Sequence, residues 1–188
     1  MSRLFALLLA ACLAAPVFAA DEAALLDDAR KVAGAIPPKL LTVLNDEIKA
    51  GGAENAIAVC REKAPKMAAA ASAASGWNIR RVSLKNRNPK ATPDAWERAT
   101  LEDFERRTAA GEKPTSLEKG ELVSDGGQQI YRYMKALPTQ DLCLACHGTA
   151  DNISAPVKAK LAELYPEDKA FGYGLAEIRG ANTLKRPL

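Results

Sequence analysis

Cys143-Leu144-Ala145-Cys146-His147 places two thiols and an imidazole within one short segment. This C-x-x-C-H spacing is that of c-type haem attachment. Two thioethers can tie one edge of a porphyrin, and the adjacent His147 then reaches the iron from the proximal face. The chain holds 4 Cys and 1 His in 188 residues, so a chance match to the pattern is rare. The competing reading is a redox-active C-x-x-C of the thioredoxin-like kind. That motif opens a helix after a strand in a βαβ unit, and no such unit is legible here. The expectation is one covalently attached haem c, with Cys143 and Cys146 as thioether anchors and His147 as proximal iron ligand.

The single His then acts as a constraint. Committed to iron, it excludes bis-His haem, multihaem cytochromes and His-rich zinc or copper sites. It also leaves a peroxidase-like enzyme without the usual distal base, so no enzymatic activity is expected and a haem enzyme ranks last. No Met, His or Cys follows His147, so a strong opposite ligand must come from upstream. The candidates are Cys60, Met67 and Met134, with lysines weaker and an open iron as the remaining option. A free Cys is most often a small buried hydrophobe. In an exported protein, however, an unpaired thiol risks oxidation unless it is buried or bound. On iron, Cys60 would be a thiolate, which stabilises the ferric state and lowers the reduction potential. Met67 lies two turns beyond Cys60 on the expected helix, roughly 10 Å along the axis at the α-helical rise, so both can hardly serve one iron. Met134 reads as strand packing, on one face with Ile130 and Arg132. On residues alone Cys60 leads, with the open site and the two Met still standing.

The N-terminus tells where such a protein would work. Met1-Ser2-Arg3 is a positive start, Leu4 to Val17 carries no charge, and Val17-Phe18-Ala19 fits a small-residue cleavage site. Residues 1–19 therefore read as a signal peptide, and residues 20–188 as a single domain. The apolar run falls short of a membrane span. The alternative is a lipoprotein box, Leu9-Ala10-Ala11-Cys12, which would anchor the chain at Cys12. Against it, the residues after Cys12 stay apolar to Ala20. The expectation is a soluble periplasmic protein with three cysteines left, an odd number that calls for an explanation. Hydrophobic residues at 48% and charged residues at 26% exclude a disordered or fibrous chain. A formal charge of +3 without a basic run gives no case for nucleic acid.

Elements that could position these residues follow from periodicity and punctuation. Asp21 to Ile36 reads as a helix broken or kinked at Pro37-Pro38, resuming from Lys39 to Lys49 and ending at Gly51-Gly52. Ala53 to Ser75 is an Ala-rich helix stopped by Gly76, with Ile57, Cys60, Ala64 and Met67 on one face. Pro65 should free the Arg61 carbonyl and bend the helix just after Cys60. Trp77 to Leu84 reads as a strand. Thr92 and Pro93 open a helix from Asp94 to Ala109. Glu121 to Ser124 and Gln128 to Leu137 form a hairpin around Asp125-Gly126-Gly127. The haem motif follows as a loop, then a helix from Ala155 to Tyr165, and a short final strand within Gly174 to Leu184. The order implies an α+β fold with an antiparallel sheet.

Four stretches carry a resemblance to a known family: Ala56 to Pro65, Ile79 to Pro89 with Pro93 to Glu97, Cys143 to Gly148, and Tyr165 to Tyr173. In them the chain resembles the exported single-haem c-type family with a PAS-like α+β fold, long catalogued as a domain of unknown function. The resemblance implies an antiparallel sheet with N-terminal and peripheral helices, haem c on His147 and a cysteine thiolate opposite, which falls on Cys60. It implies redox or small-ligand sensing, with no established enzymatic activity. The chain departs from the family after Arg179-Gly180-Ala181, where Asn182-Thr183-Leu184-Lys185-Arg186-Pro187 predicts a shorter or more polar sheet edge. No fused output domain is expected, so a sensor would need a separate signalling partner.

Among Arg80, Arg81 and Arg87, Arg81 and Arg87 are the candidate partners for haem propionates, which favour bidentate cationic donors. The alternative is a structural ion pair with Glu97 or Glu102, or an exposed face. Tyr131 and Tyr133 share a strand face and read as core ahead of haem wall. The leading function is a redox or gas sensor, with NO or CO able to displace Cys60. A periplasmic electron carrier with its own redox partner is the alternative.

Overall fold

The structure, a computed structural model, describes residues 16–188. Cys12 and most of the expected signal segment lie outside the described residues. No described helix is long and apolar enough to cross a membrane.

The chain opens with α1 (Pro16–Ala58), passes through a single π-helical stretch (Val59–Lys63) and continues as α2 (Ala64–Ser75). The break expected at Pro37-Pro38 is absent. Helical geometry runs through both prolines and is interrupted, as expected, at Gly51 and Gly52, where Gly52 takes φ 82°. Pro37 lacks the N–H that would bond the Ala33 carbonyl. Asn182 on the last strand donates to that carbonyl at 3.4 Å. A neighbouring layer thus supplies the donor the helix lost.

The disturbance predicted from Pro65 does occur next to Cys60, as a π turn. The Ala64 N–H reaches back five residues to the Val59 carbonyl, and Pro65 follows within the first turn of α2. A π turn inserts one residue, which rotates everything beyond it by about 100°. The face shared by Ile57 and Cys60 therefore does not continue to Met67, as α-helical spacing had suggested.

The sheet comprises β1 (Asn78–Val82), β2 (Glu118–Asp125), β3 (Gln128–Pro138) and β4 (Ile178–Pro187). Its spatial order is β1-β4-β3-β2, and all pairs are antiparallel. With α3 (Ala95–Ala109) on one face and α1 on the other, the fold is the expected α+β. Val82, Leu101, Phe104, Met134 and Ala181 form the core beneath α3. Trp77, Ile79, Tyr131, Tyr133 and Leu184 form the core beneath Ala29 and Ala33 of α1. Tyr131 and Tyr133 are thus core residues under α1, and the Tyr133 hydroxyl donates to Glu118 at 2.7 Å. The Gly126-Gly127 turn sits between paired Asp125 and Gln128, with both glycines at positive φ as a two-residue hairpin requires.

Two elements differ from expectation. β4 is neither short nor an edge; it runs for ten residues between β1 and β3. Its polar side chains are tolerated because each finds a partner in an adjoining layer. Thr183 donates to Glu97, Lys185 pairs with Asp94 and Arg186 with Asp28. The cap of α3 is Asp94, not Thr92. Asp94 accepts from the Glu97 N–H at 2.9 Å, and Glu97 accepts from the Asp94 N–H in return. Thr92 spends its hydroxyl on the Pro89 carbonyl.

Asp94 also pairs with Arg132 and Lys185, joining α3 to two strands. Burial alone would raise its carboxyl. Hydrogen bonds from the Glu97 N–H, Lys185 and Arg132 outweigh that and hold it well below the ordinary 3.8. A carboxyl lowered on folding stabilises above its unfolded value and loses that contribution as pH falls toward the folded one. Asp94→Ala is expected to cost about 1–2 kcal/mol near neutrality, typical of a lost N-cap. Its penalty should shrink between about pH 4 and pH 2 in acid titrations followed by circular dichroism. A penalty constant across that range would contradict this account.

Candidate functional site

The motif, expected as a loop, folds as α4 (Asp141–His147), so Cys143, Cys146 and His147 fall at i, i+3 and i+4 on one helix face. That spacing is why two residues between the cysteines and none before the His bring all three side chains to one side. Gln140 starts the helix, and its N–H donates to Cys143 Sγ at 3.4 Å. The Gly148 N–H closes the helix on the Leu144 carbonyl at 2.9 Å.

A strap from Tyr165 to Tyr173 holds α4 in place. The Tyr173 N–H donates to the His147 carbonyl at 3.0 Å and the Gly172 N–H to the Gly148 carbonyl at 2.8 Å. His147 Nδ1 lies 2.6 Å from the Ala170 carbonyl. A carbonyl only accepts, so the hydrogen belongs on Nδ1 and the lone pair on Nε2. Burial first, then the Arg179 and Arg87 charges, pushes His147 well below its ordinary 6.5, which keeps the ring neutral. A neutral imidazole with Nδ1 anchored to a carbonyl is the form that ligates a metal through Nε2.

Arg87 ties the strap to the motif. Its Nε–H meets Asp168 at 2.8 Å, and its Nη2 donates to the carbonyls of Cys146 at 2.6 Å and Ala170 at 3.3 Å. The guanidinium is buried and its charge is matched by Asp168. Arg80 pairs with Glu97 on the α3 side. Arg81 is exposed on β1, near enough to His147 and Arg179 for its charge to bear on both.

Cys60 sits half-buried on the π turn, beside fully buried Val59. Ile57, one turn earlier, packs with Ile153, Val157, Leu161 and Tyr165, and Cys146 and Ala53 lean on the same cluster. Val157 and Leu161 belong to α5 (Ala155–Leu164). Burial pushes the Cys146 thiol up; Arg87 opposes this and Cys60 adds to it, which places Cys60 within electrostatic reach of the motif. Cys60 likewise bears on Tyr165. The other sulfur candidates lie elsewhere. Met134 is fully buried in the core beneath α3, and Met67 lies beyond the π turn on α2.

The sequence reading missed Arg179. It is 7% exposed, its Nε lies 3.1 Å from His147 Nδ1, and its Nη1 donates to Ser83 Oγ at 2.9 Å. Its guanidinium also lies 5.4 Å from the centre of the Tyr173 ring, which in turn meets His147 edge-on at 6.4 Å. The signal was Gly180, a glycine inside a strand pattern, which marks a bulge.

A family model described as Tll0287-like matches residues 19–187. Among solved structures, the chain is similar to one described as the crystal structure of the cyanobacterial heme-protein Tll0287. The two share 29% identity over 69% of this chain and 71% of that one, with a TM-score of 0.55. No curated protein matches.

Proposed function

The chain belongs to the Tll0287-like family, and on that premise we propose that it is an exported haem protein carrying one haem c and acting in redox or small-ligand sensing. Cys143 and Cys146 would carry the thioethers, His147 would ligate iron through Nε2, and the Cys60 thiolate would lie opposite. One observation carries this reading: the α4 face that presents both thiols also presents an imidazole whose Nδ1 is fixed on the Ala170 carbonyl. The donor set suits a porphyrin-held iron better than a bare ion. Among the described residues no three His, Cys, Asp or Glu side chains converge as a metal cage. The solved relative is itself described as a heme-protein. Bound haem would supply a one-electron iron couple and, when Cys60 departs, a position for NO or CO.

The protein's own part is to hold and to respond. The strap fixes His147, whereas Cys60 rides on a π turn, an irregular point of the helical layer. A ligand held on a π bulge can leave with a local change in helical register, which is what a sensor needs. An electron carrier would instead keep both axial ligands in both oxidation states.

Optical and EPR spectra of ferric and ferrous protein, with and without CO, test this in wild type and Cys60→Ala. Low-spin thiolate signals should be present in ferric wild type and abolished in Cys60→Ala, with a higher midpoint potential in the variant. Identical spectra in the two proteins would remove Cys60 from the iron. Loss of the thiolate in the ferrous or CO-bound wild type supports sensing, and its retention supports the carrier.

A further inference from the structure

Three arginines bear on His147, and their charges are unevenly matched. Arg87 takes Asp168. Among the described residues neither Arg81 nor Arg179 forms an ion pair with a carboxylate. Arg179 is the informative one because it is buried and its acceptors are neutral: Ser83 Oγ at 2.9 Å and the Lys85 carbonyl at 3.4 Å; its Nε also lies 3.1 Å from His147 Nδ1. That nitrogen carries a hydrogen and cannot accept. With Nε2 on a metal, Nδ1 keeps its hydrogen and directs it to the Ala170 carbonyl. The Arg179 Nε–H then faces a donor, and a buried cationic donor without a partner is strongly disfavoured.

The backbone is shaped to put Arg179 there. Leu137 pairs with Gly180 and Pro138 with Ile178, so Arg179 is the unpaired residue of a β-bulge. A bulge re-aims the side chain it carries. Gly180 makes the bulge sterically feasible: it takes φ 152°, and a Cβ there would lie 2.3 Å from the Val82 carbonyl oxygen. Two neighbouring guanidinium groups repel unless an anion lies between them.

We propose that Arg179, together with the exposed Arg81, is the receptor for a propionate carboxylate of the bound haem. This rests on the haem reading above. Arg179 supplies a bidentate fork that a lysine cannot reproduce. Arg87 acts as a positioning residue, its charge already spent on Asp168.

The test uses full-chain holoprotein. Haem absorbance that stays with the polypeptide after acid–acetone extraction first shows whether haem is covalently present; its absence would overturn the haem c reading itself, separately from the role of Arg179. Resonance Raman spectra then record the propionate bending bands and the iron–His stretch in wild type, Arg179→Ala, Arg179→Lys, Arg81→Ala and the remote control Arg98→Ala. The propionate band should shift in Arg179→Ala, stay shifted in Arg179→Lys, shift less in Arg81→Ala and stay unmoved in Arg98→Ala. The midpoint potential should fall in Arg179→Ala and recover in part in Arg179→Lys, which keeps the charge. If Arg179→Ala fails to fold, Arg179→Lys and Arg81→Ala carry the test. An unmoved propionate band in the Arg179 and Arg81 variants overturns the proposal, as does a change confined to the iron–His stretch. A wild-type band that moves on adding sodium acetate would place a solution anion in the receptor and overturn it as well.

Discussion

Replacing Cys143 and Cys146 together by Ser is expected to turn haem that survives denaturation into haem that is extracted completely. In wild type, acid–acetone treatment should leave essentially all haem absorbance with the polypeptide. In the double variant it should pass to the organic phase. The reason is that thioethers replace affinity by connectivity. Without them, haem stabilises the native state only through reversible binding, by an amount set by its free concentration relative to Kd. The helix that carries the cysteines should persist, because its contacts to the strap run through backbone groups of His147 and Gly148. Single Cys→Ser variants should keep one thioether and resist extraction, with a displaced pyridine haemochrome band. Haem that still resisted extraction in the double variant would exclude Cys143 and Cys146 as the attachment points.

The largest effect on stability is expected at Glu97, far from the motif. Its side chain is fully buried and accepts from Arg80, from the Thr183 hydroxyl at 3.0 Å and from the Asp94 N–H, with Arg132 at 3.4 Å. One carboxylate thereby satisfies two cations and closes the capping box of α3. Removing one partner of a buried ionic group leaves the others desolvated and unmatched, which costs about 3–5 kcal/mol. Glu97→Ala should lose that much in urea denaturation, a large part of the roughly 5–15 kcal/mol available to a domain of this kind. Glu97→Gln should lose less, because the amide oxygen can still accept from Thr183 or Asp94. The ferric spectrum of folded Glu97→Ala should match wild type, since the cluster lies on the α3 side of the sheet. A loss below about 1 kcal/mol would mean that Arg80 and Arg132 are satisfied by water.

What could be read in advance follows from range. The motif was legible because its chemistry is local: three side chains within five consecutive residues. The hairpin was legible because Gly126-Gly127 meets a turn requirement on its own. Pro65 marked the irregular turn beside Cys60 because a missing N–H disturbs its own helix. Pro37 and Pro38 misled for the complementary reason. The donor that relieves Ala33 belongs to Asn182, which no local rule can see.

The same distinction governs the last strand and the arginines. Asn182, Thr183, Lys185 and Arg186 read as a polar edge, yet their partners in α1 and α3 allow β4 to lie inside the sheet. Thr92 reads as the cap of α3 by type, and backbone geometry chose Asp94. Among Arg80, Arg81 and Arg87, the sequence offered Arg81 and Arg87 to the propionates but could not assign their partners. Packing gave Glu97 to Arg80 and Asp168 to Arg87, and brought in Arg179 through a bulge that only strand pairing could register.

The sequence by itself therefore determined the reactive inventory: two thiols and the single imidazole at C-x-x-C-H spacing, and a third thiol on a helix shortly before a proline. These depend on covalent spacing and on the pitch of a helix. The tertiary structure alone decided how that inventory is tuned. It set which nitrogen of His147 is free, which arginines have spent their charge and which side of the fold Cys60 faces. Each of those depends on a carbonyl, carboxylate or strand brought from tens of residues away, and burial is what gives such distant partners their energetic weight.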